Sequence, residues 1–77
     1  MRDTIILEKL DTYDSAAIAE LIDKHITGRN AERNRKILKR RLIDGVCYNP
    51  LSEEFDLSVR QTQNIIYKGM VRLLSVI

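Results

Sequence analysis

The stretch "FDLSVRQTQN", Phe55 to Asn64, decides the fold. Phe55 and Leu57 are core residues by type, and Ser58 is a helix opener by type. A row of guanidinium and amide side chains then follows. Ser58 and Gln61 stand at the spacing of a reciprocal capping box, in which the hydroxyl accepts a backbone N–H near Gln61 while the amide reaches back to Ser58. Loss of such a cap costs about 1 kcal/mol. Downstream, Thr62, Ile65, Ile66, Gly69, Met70 and Leu73 recur at intervals of three and four, the buried side of a helix running to about Leu74. That leaves Val59, Arg60, Gln63 and Asn64 on the outer edge of its first turns, with Gln61 able to serve either the cap or that edge.

Working back from Phe55, Asn49 followed by Pro50 marks the start of a shorter helix, "PLSEEF", because Asn caps and Pro suits the first helical position. It has room for about two turns before Asp56, a residue type that reaches left-handed backbone angles more easily than most. "VCYNP" is a connection whose Val46 and Tyr48 pack down. Before it, "NAERNRKILKRRLIDG" reads as a basic helix from an Asn30 cap to Gly45, with Ala31, Ile37, Leu38, Leu42 and Ile43 as its apolar side. Arg41 falls near that side and is expected to snorkel or to pair with Glu53 or Glu54. In "DSAAIAELIDKHITG", Ile18, Leu21, Ile22 and Ile26 form an amphipathic stripe, capped by Asp14 or Ser15 and ended by Gly28, with His25 packed at the edge of the core. "TIILEKL", residues 4–10, suits a short helix, since no partner strand exists elsewhere.

These pieces predict an all-α fold: one small domain of four to five helices, with an N-terminal helical part (1–28), a basic helix (30–44) and a C-terminal helix-turn-helix (49–74). At 77 residues, a chain buries only roughly 60 to 65% of its unfolded surface, so stability is expected to be modest. The apolar content of 44% beside 31% charged residues is that of a chain that folds. One cysteine, Cys47, and one histidine, His25, exclude an internal disulfide and the usual structural zinc sites. A reducing cytoplasm is the expected compartment. The apolar runs "IIL" and "LLSVI" are far shorter than a membrane span, so no membrane partner is expected.

The net charge of +2 is unevenly spread. Residues 1–28 hold three cations against six acids, a net −3, and residues 42–77 hold three against four, a net −1. Residues 29–41 hold seven cations, Arg29, Arg33, Arg35, Lys36, Lys39, Arg40 and Arg41, against Glu32 alone, a net +6. A polyanion would be drawn to the middle of the chain. No spacing groups a nucleophile with a base, gathers metal ligands or forms a glycine-rich phosphate loop, so no catalytic residue, metal site or cofactor is expected and the chain does not read as an enzyme.

From Glu32 to Leu73 the sequence resembles region four of the bacterial housekeeping sigma-factor family and the related small transcription regulators of phages. "ILKRRLIDGV" is similar to that family's basic helix ending in an Asp-Gly turn, and it is followed without a gap by "CYNPLSEEFDLSVRQTQNI". The spacing from Asp44-Gly45 to Leu57-Ser58 and the closing "MVRLL" agree as well. The chain departs from the family at Ser52, where a small Ala or Gly is usual, at Asn49 and Pro50, where acids are usual, and at Asp56, often Gly. Residues 1–28 lie outside the match, and the family's other regions have no counterpart, so a complete sigma factor is not expected.

The resemblance implies a sequence-specific, double-stranded DNA-binding transcription regulator, its recognition helix from about Ser58 to Leu74 in the major groove. Carried over as base-facing are Val59, Arg60, Gln63 and Asn64, with Gln61 as the residue shared with the cap. Their chemistry agrees: Arg pairs with guanine edges, Asn and Gln with adenine edges, and Val meets a thymine methyl. Arg33, Lys36, Lys39 and Arg40 of the basic helix, with Lys68 and Arg72 farther along the recognition helix, are the expected phosphate contacts. The alternative is a protein-interaction module that docks on RNA polymerase or another regulator. A monomer and a homodimer closed by "TIILEKL" and "LLSVI" both remain open.

Overall fold

The structure, a computed structural model, describes residues 13–76. Four helices are found among them, α1 (Ser15–His25), α2 (Ala31–Leu42), α3 (Tyr48–Glu54) and α4 (Val59–Val76), and no strand. The expected all-α architecture is therefore present. The short helix expected over 4–10 lies outside the described residues.

Each helix end has a local cause. Asp14 opens α1 by accepting the Ala17 N–H at 2.7 Å, and Lys24 and His25 in its last turn suit the negative end of the helix dipole. α1 ends at His25, three residues before Gly28 turns the chain with φ of 92°. The start of α2 differs from expectation, since Asn30 makes no side-chain cap bond. Its backbone is instead left-handed, φ 61°, which Asn tolerates, so the residue serves the turn rather than the cap. Gly45, φ 71°, redirects the chain after α2 as its sequence position suggested.

α3 also begins earlier than expected. Cys47, extended at φ −69° and ψ 161°, is the residue before the helix, and the first bond runs from the Leu51 N–H to the Cys47 carbonyl at 3.1 Å. Pro50 is thus the third helical residue, still inside the turn whose N–H groups have no intrahelical acceptor, so its missing donor costs nothing there. At the far end the Leu57 N–H reaches the Ser52 carbonyl at 2.9 Å and the Asp56 N–H reaches the Glu53 carbonyl at 3.2 Å. This is the Schellman arrangement, with Asp56 at φ 55° in the position that glycine usually holds.

The core gathers one stripe from each helix. Ile22, Ile37, Leu38, Leu51 and Leu73 are fully buried, Ile66 and Met70 nearly so, and Ile18 and Ile26 close the cluster. Burying each such side chain stabilises the fold by about 1.5–3 kcal/mol. α4 packs against all three other helices, and so its direction is set by the whole core. Ile65, expected in the buried row, is only half buried, because it stands at the margin of that stripe.

Two polar side chains enter the core with their hydroxyls satisfied. Ser52 Oγ donates to the Asn49 carbonyl at 2.7 Å, and Thr62 Oγ1 donates to the Ser58 carbonyl at 3.0 Å. Ser52 therefore enters the core without leaving an orphan donor. Among the described residues no buried side-chain nitrogen or oxygen lacks a partner.

For Arg41 the structure departs from one of the two expected roles, the pairing with an acid of α3. Its guanidinium lies over the Tyr48 ring, 4.5 Å from the centroid, and Nη1 donates to the Val46 carbonyl at 3.2 Å. It does not pair with Glu53 or Glu54. The neighbouring Arg40 takes Glu54, and the step of about 100° between successive helical residues separates the two guanidinium groups.

Candidate nucleic-acid interface

The N-terminal turns of α4 carry the side chains that the sequence singled out. Ser58 Oγ accepts the Gln61 N–H at 3.1 Å, and Gln61 Oε1 accepts the Ser58 N–H at 3.0 Å, so both halves of the capping box are made. Gln61 spends its carbonyl oxygen on the cap and keeps its amide NH2 for an outside acceptor. Thr62 turns inward, fully buried. Arg60, Gln61, Gln63 and Asn64 are exposed and Val59 is half buried.

The five residues do not form one tight patch. With about 100° of rotation per residue, Arg60 and Asn64 share the central outward line of α4, while Gln61 and Gln63 lie on its opposite flanks, about 160–200° of arc apart. Val59 sits on the Gln63 side, toward the core. Tyr67 and Val71 continue the Arg60–Asn64 line and are 40% and 45% exposed.

The six expected phosphate contacts divide into two sets. Lys36, Lys39 and Arg40 are paired with acids of the chain itself. Lys36 Nζ stands 3.7 Å from Glu32, one turn back, and Lys39 Nζ stands 2.7 Å from Asp23 of α1. Arg40 forms a fork on Glu54, with Nη2 at 2.7 Å and Nε at 3.0 Å, and also reaches Asp44 at 3.1 Å. Hydrogen bonds to Glu54, and then to Asp44, raise its already high pKa further. Arg40 is a cation clamped between α2, α3 and the turn after α2.

Arg33, Lys68 and Arg72 have no carboxylate of the described residues within ion-pair distance and line a single groove. Arg33 Nε and Nη2 both reach Asn34 Oδ1 at 3.3 Å, and Arg72 Nε points to the His25 carbonyl at 3.5 Å. Sequence reasoning missed His25, Thr27 and Asn34 as neighbours of these cations. No periodicity within one segment could have found them, since the end of α1 and the start of α2 meet α4 only in the folded chain. Arg35, counted in the basic run, is used internally, donating to the Ile26 carbonyl at 2.7 Å.

Among the described residues no group of three His, Cys, Asp or Glu side chains is placed to hold a metal ion, and no helix is long and apolar enough to cross a membrane. Comparison with protein-family models, with curated proteins and with solved structures gave no match.

Proposed function

We propose that the chain is a sequence-specific regulator that binds double-stranded DNA through a helix-turn-helix formed by α3 and α4, with the first turns of α4 in the major groove. The observation that carries this reading is the exposed guanidinium and amide row Arg60, Gln61, Gln63 and Asn64 on a helix start fixed by the Ser58–Gln61 box. A solvated helix end has no need of side chains that match base edges, whereas a recognition helix does. The short 55–58 connection with left-handed Asp56 supports the pairing of the two helices, as does the resemblance of residues 32–73 to region four of sigma factors.

In this reading Arg60 and Asn64, on the central line, read bases directly, Gln63 and Val59 contribute from one flank, and the free amide of Gln61 from the other. Each good bidentate contact discriminates by roughly 1–3 kcal/mol. The alternative, a module docking on RNA polymerase or another regulator, draws on Tyr67 and Val71, which stay exposed behind Arg60 and Asn64.

Selection of bound duplexes from a random pool, followed by titration of the selected duplex against salt, separates the two readings. A preferred sequence is expected, with affinity falling steeply as salt rises, by a slope of about 0.9 for each phosphate neutralised. Asn64→Ala is expected to relax one position of that sequence by about tenfold, or roughly 1.4 kcal/mol. Absence of any affinity at low salt would remove the DNA reading. A preferred site unchanged by Asn64→Ala would remove the assignment of this face.

A further inference from the structure

A groove of about 390 Å³ opens where the end of α1, the N-terminal half of α2 and the middle of α4 meet. Its floor is apolar, with buried Leu38 and half-buried Ile65, and its rim carries Arg33, Lys68, Arg72 and the half-buried His25. Among the described residues no Asp or Glu lines it. We propose that this groove is a phosphate-binding site that seats a phosphoryl group among Arg33, Lys68 and Arg72, with the attached sugar or base against the apolar floor.

Three observations converge on it. First, among the described residues the ion pairs avoid the groove: Lys36, Lys39 and Arg40 are each matched by a carboxylate, and the three groove cations are not. Like charges collected without a counter-ion repel, and an anion among them removes that repulsion. Second, each guanidinium group is steadied by a neighbour in the groove wall. Arg33 is held by Asn34 and Arg72 points its Nε at the His25 carbonyl, which leaves the Nη1 and Nη2 groups of Arg72 for a ligand. Arginine braced in this way meets phosphate in a fixed fork. Third, the volume exceeds what a bare phosphate fills and falls within the range of small-ligand sites, about 300–1,000 Å³.

The ligand class is thus a phosphate ester of about nucleotide size, whether a free molecule or one nucleotide unit of a DNA strand. The site does not depend on the base-reading assignment, since Arg60 and Asn64 lie on a different line of α4.

The test uses the full chain, labelled with nitrogen-15, titrated with adenosine diphosphate at constant ionic strength, with adenosine as the uncharged control. Saturable amide shifts confined to 25–27, 33–38 and 65–72 are expected with the diphosphate and absent with adenosine. Lys68→Gln and Arg72→Gln should each weaken binding about tenfold, the loss of one charge-assisted hydrogen bond. Lys24→Gln, which removes the same charge elsewhere, should not. The spectra of the variants report directly that they remain folded. Shifts that grow linearly without saturating, or equal losses in Lys24→Gln and Arg72→Gln, would overturn the proposal.

A short duplex added to the diphosphate complex then identifies the source of the phosphate. Displacement of the diphosphate assigns the groove to the DNA backbone, and simultaneous binding of both assigns it to a free ligand. Amide shifts at 59–64 on adding duplex report the DNA reading separately, so failure of one assignment leaves the other visible.

Discussion

Gly69→Ala sets two effects of known size against each other, and the structure decides between them. Gly69 is in the interior of α4, where replacing glycine by alanine ordinarily stabilises a helix by about 0.8–1.0 kcal/mol. Here a Cβ would fall 2.7 Å from Leu38 Cδ2 and 3.0 Å from Leu38 Cγ, with Cδ1 nearer still. Leu38 is fully buried, and although it floors the groove beside Gly69, a change of its rotamer gives up its packing against the core. Relief requires an off-rotamer Leu38 or a shift of α4 away from α2, and overpacking of this kind costs about 1–3 kcal/mol. The net expectation is a destabilisation of about 1 kcal/mol, and a midpoint lower by about 4–8 °C for a domain of this size. Urea and thermal unfolding followed by circular dichroism measure it. Leu38→Ala alone should cost about 2–5 kcal/mol through the cavity it leaves. In the Gly69→Ala background the added methyl occupies part of that cavity, so the double variant should be more stable than the sum of the two by about 1 kcal/mol. If Gly69→Ala instead stabilised the protein by its full helix propensity, with no coupling to Leu38, the close approach of α2 and α4 would be wrong. The direction of the outer edge of α4 and the shape of the groove beside it would then be wrong as well.

Gln61 allows cap and contact to be separated. Gln61→Glu keeps an acceptor for the Ser58 N–H and places a carboxylate at a helix start, so stability should hold or rise by about 0.3–0.5 kcal/mol while duplex affinity falls. Gln61→Ala should lower stability by about 0.5–1 kcal/mol. If the Ala variant also leaves the selected DNA sequence unchanged, Gln61 belongs to the cap alone. Asp56→Gly relieves the left-handed strain at φ 55° but gives the unfolded chain more freedom, for a net gain of about 0.5 kcal/mol in a thermal melt. It also removes a negative charge from the turn before α4 and should tighten duplex binding. A loss of stability would show instead that the Asp56 carboxylate satisfies a donor of its own.

The parts of the fold legible in the sequence are those whose causes are local. Asp14, Gly45, Ser58 with Gln61, and the three-four row from Thr62 to Leu73 each depend on residues within one or two turns, and their geometry follows from side-chain chemistry. Where two local signals competed, the reading slipped. Asn49-Pro50 has the form of a cap and first residue, yet Cys47 opens the helix two residues earlier, because Pro fits any of the first positions that need no donor. Asn30 has the form of a cap, but an Asn also suits a left-handed turn, and the chain needed the turn. The partners of the basic helix were legible only as a composition. Which of Arg40 and Arg41 meets Glu54 depends on the rotation of α2 relative to α3, a long-range quantity that no window of the sequence contains.

That rotation changes the meaning of the basic run. Read as a charge count, residues 29–41 are a single cationic face of net +6. In the folded chain Lys39 reaches across to Asp23 on α1, and Arg40 reaches across to Glu54 on α3 and to Asp44. These pairs are exposed to solvent, and exposed pairs add little to stability. They still compete with any phosphate, because a cation must leave its carboxylate before it can neutralise another anion. The acids of α1 and α3 therefore quiet one part of the basic helix, and among the described residues they leave Arg33 without a carboxylate beside Lys68 and Arg72 on α4. With Arg60 at the start of the same helix, these four cations lie along α4 and the groove at its side, while Lys24 and Arg29 are exposed elsewhere. The attraction that composition places on α2 is thus handed to the helix that carries the amide row.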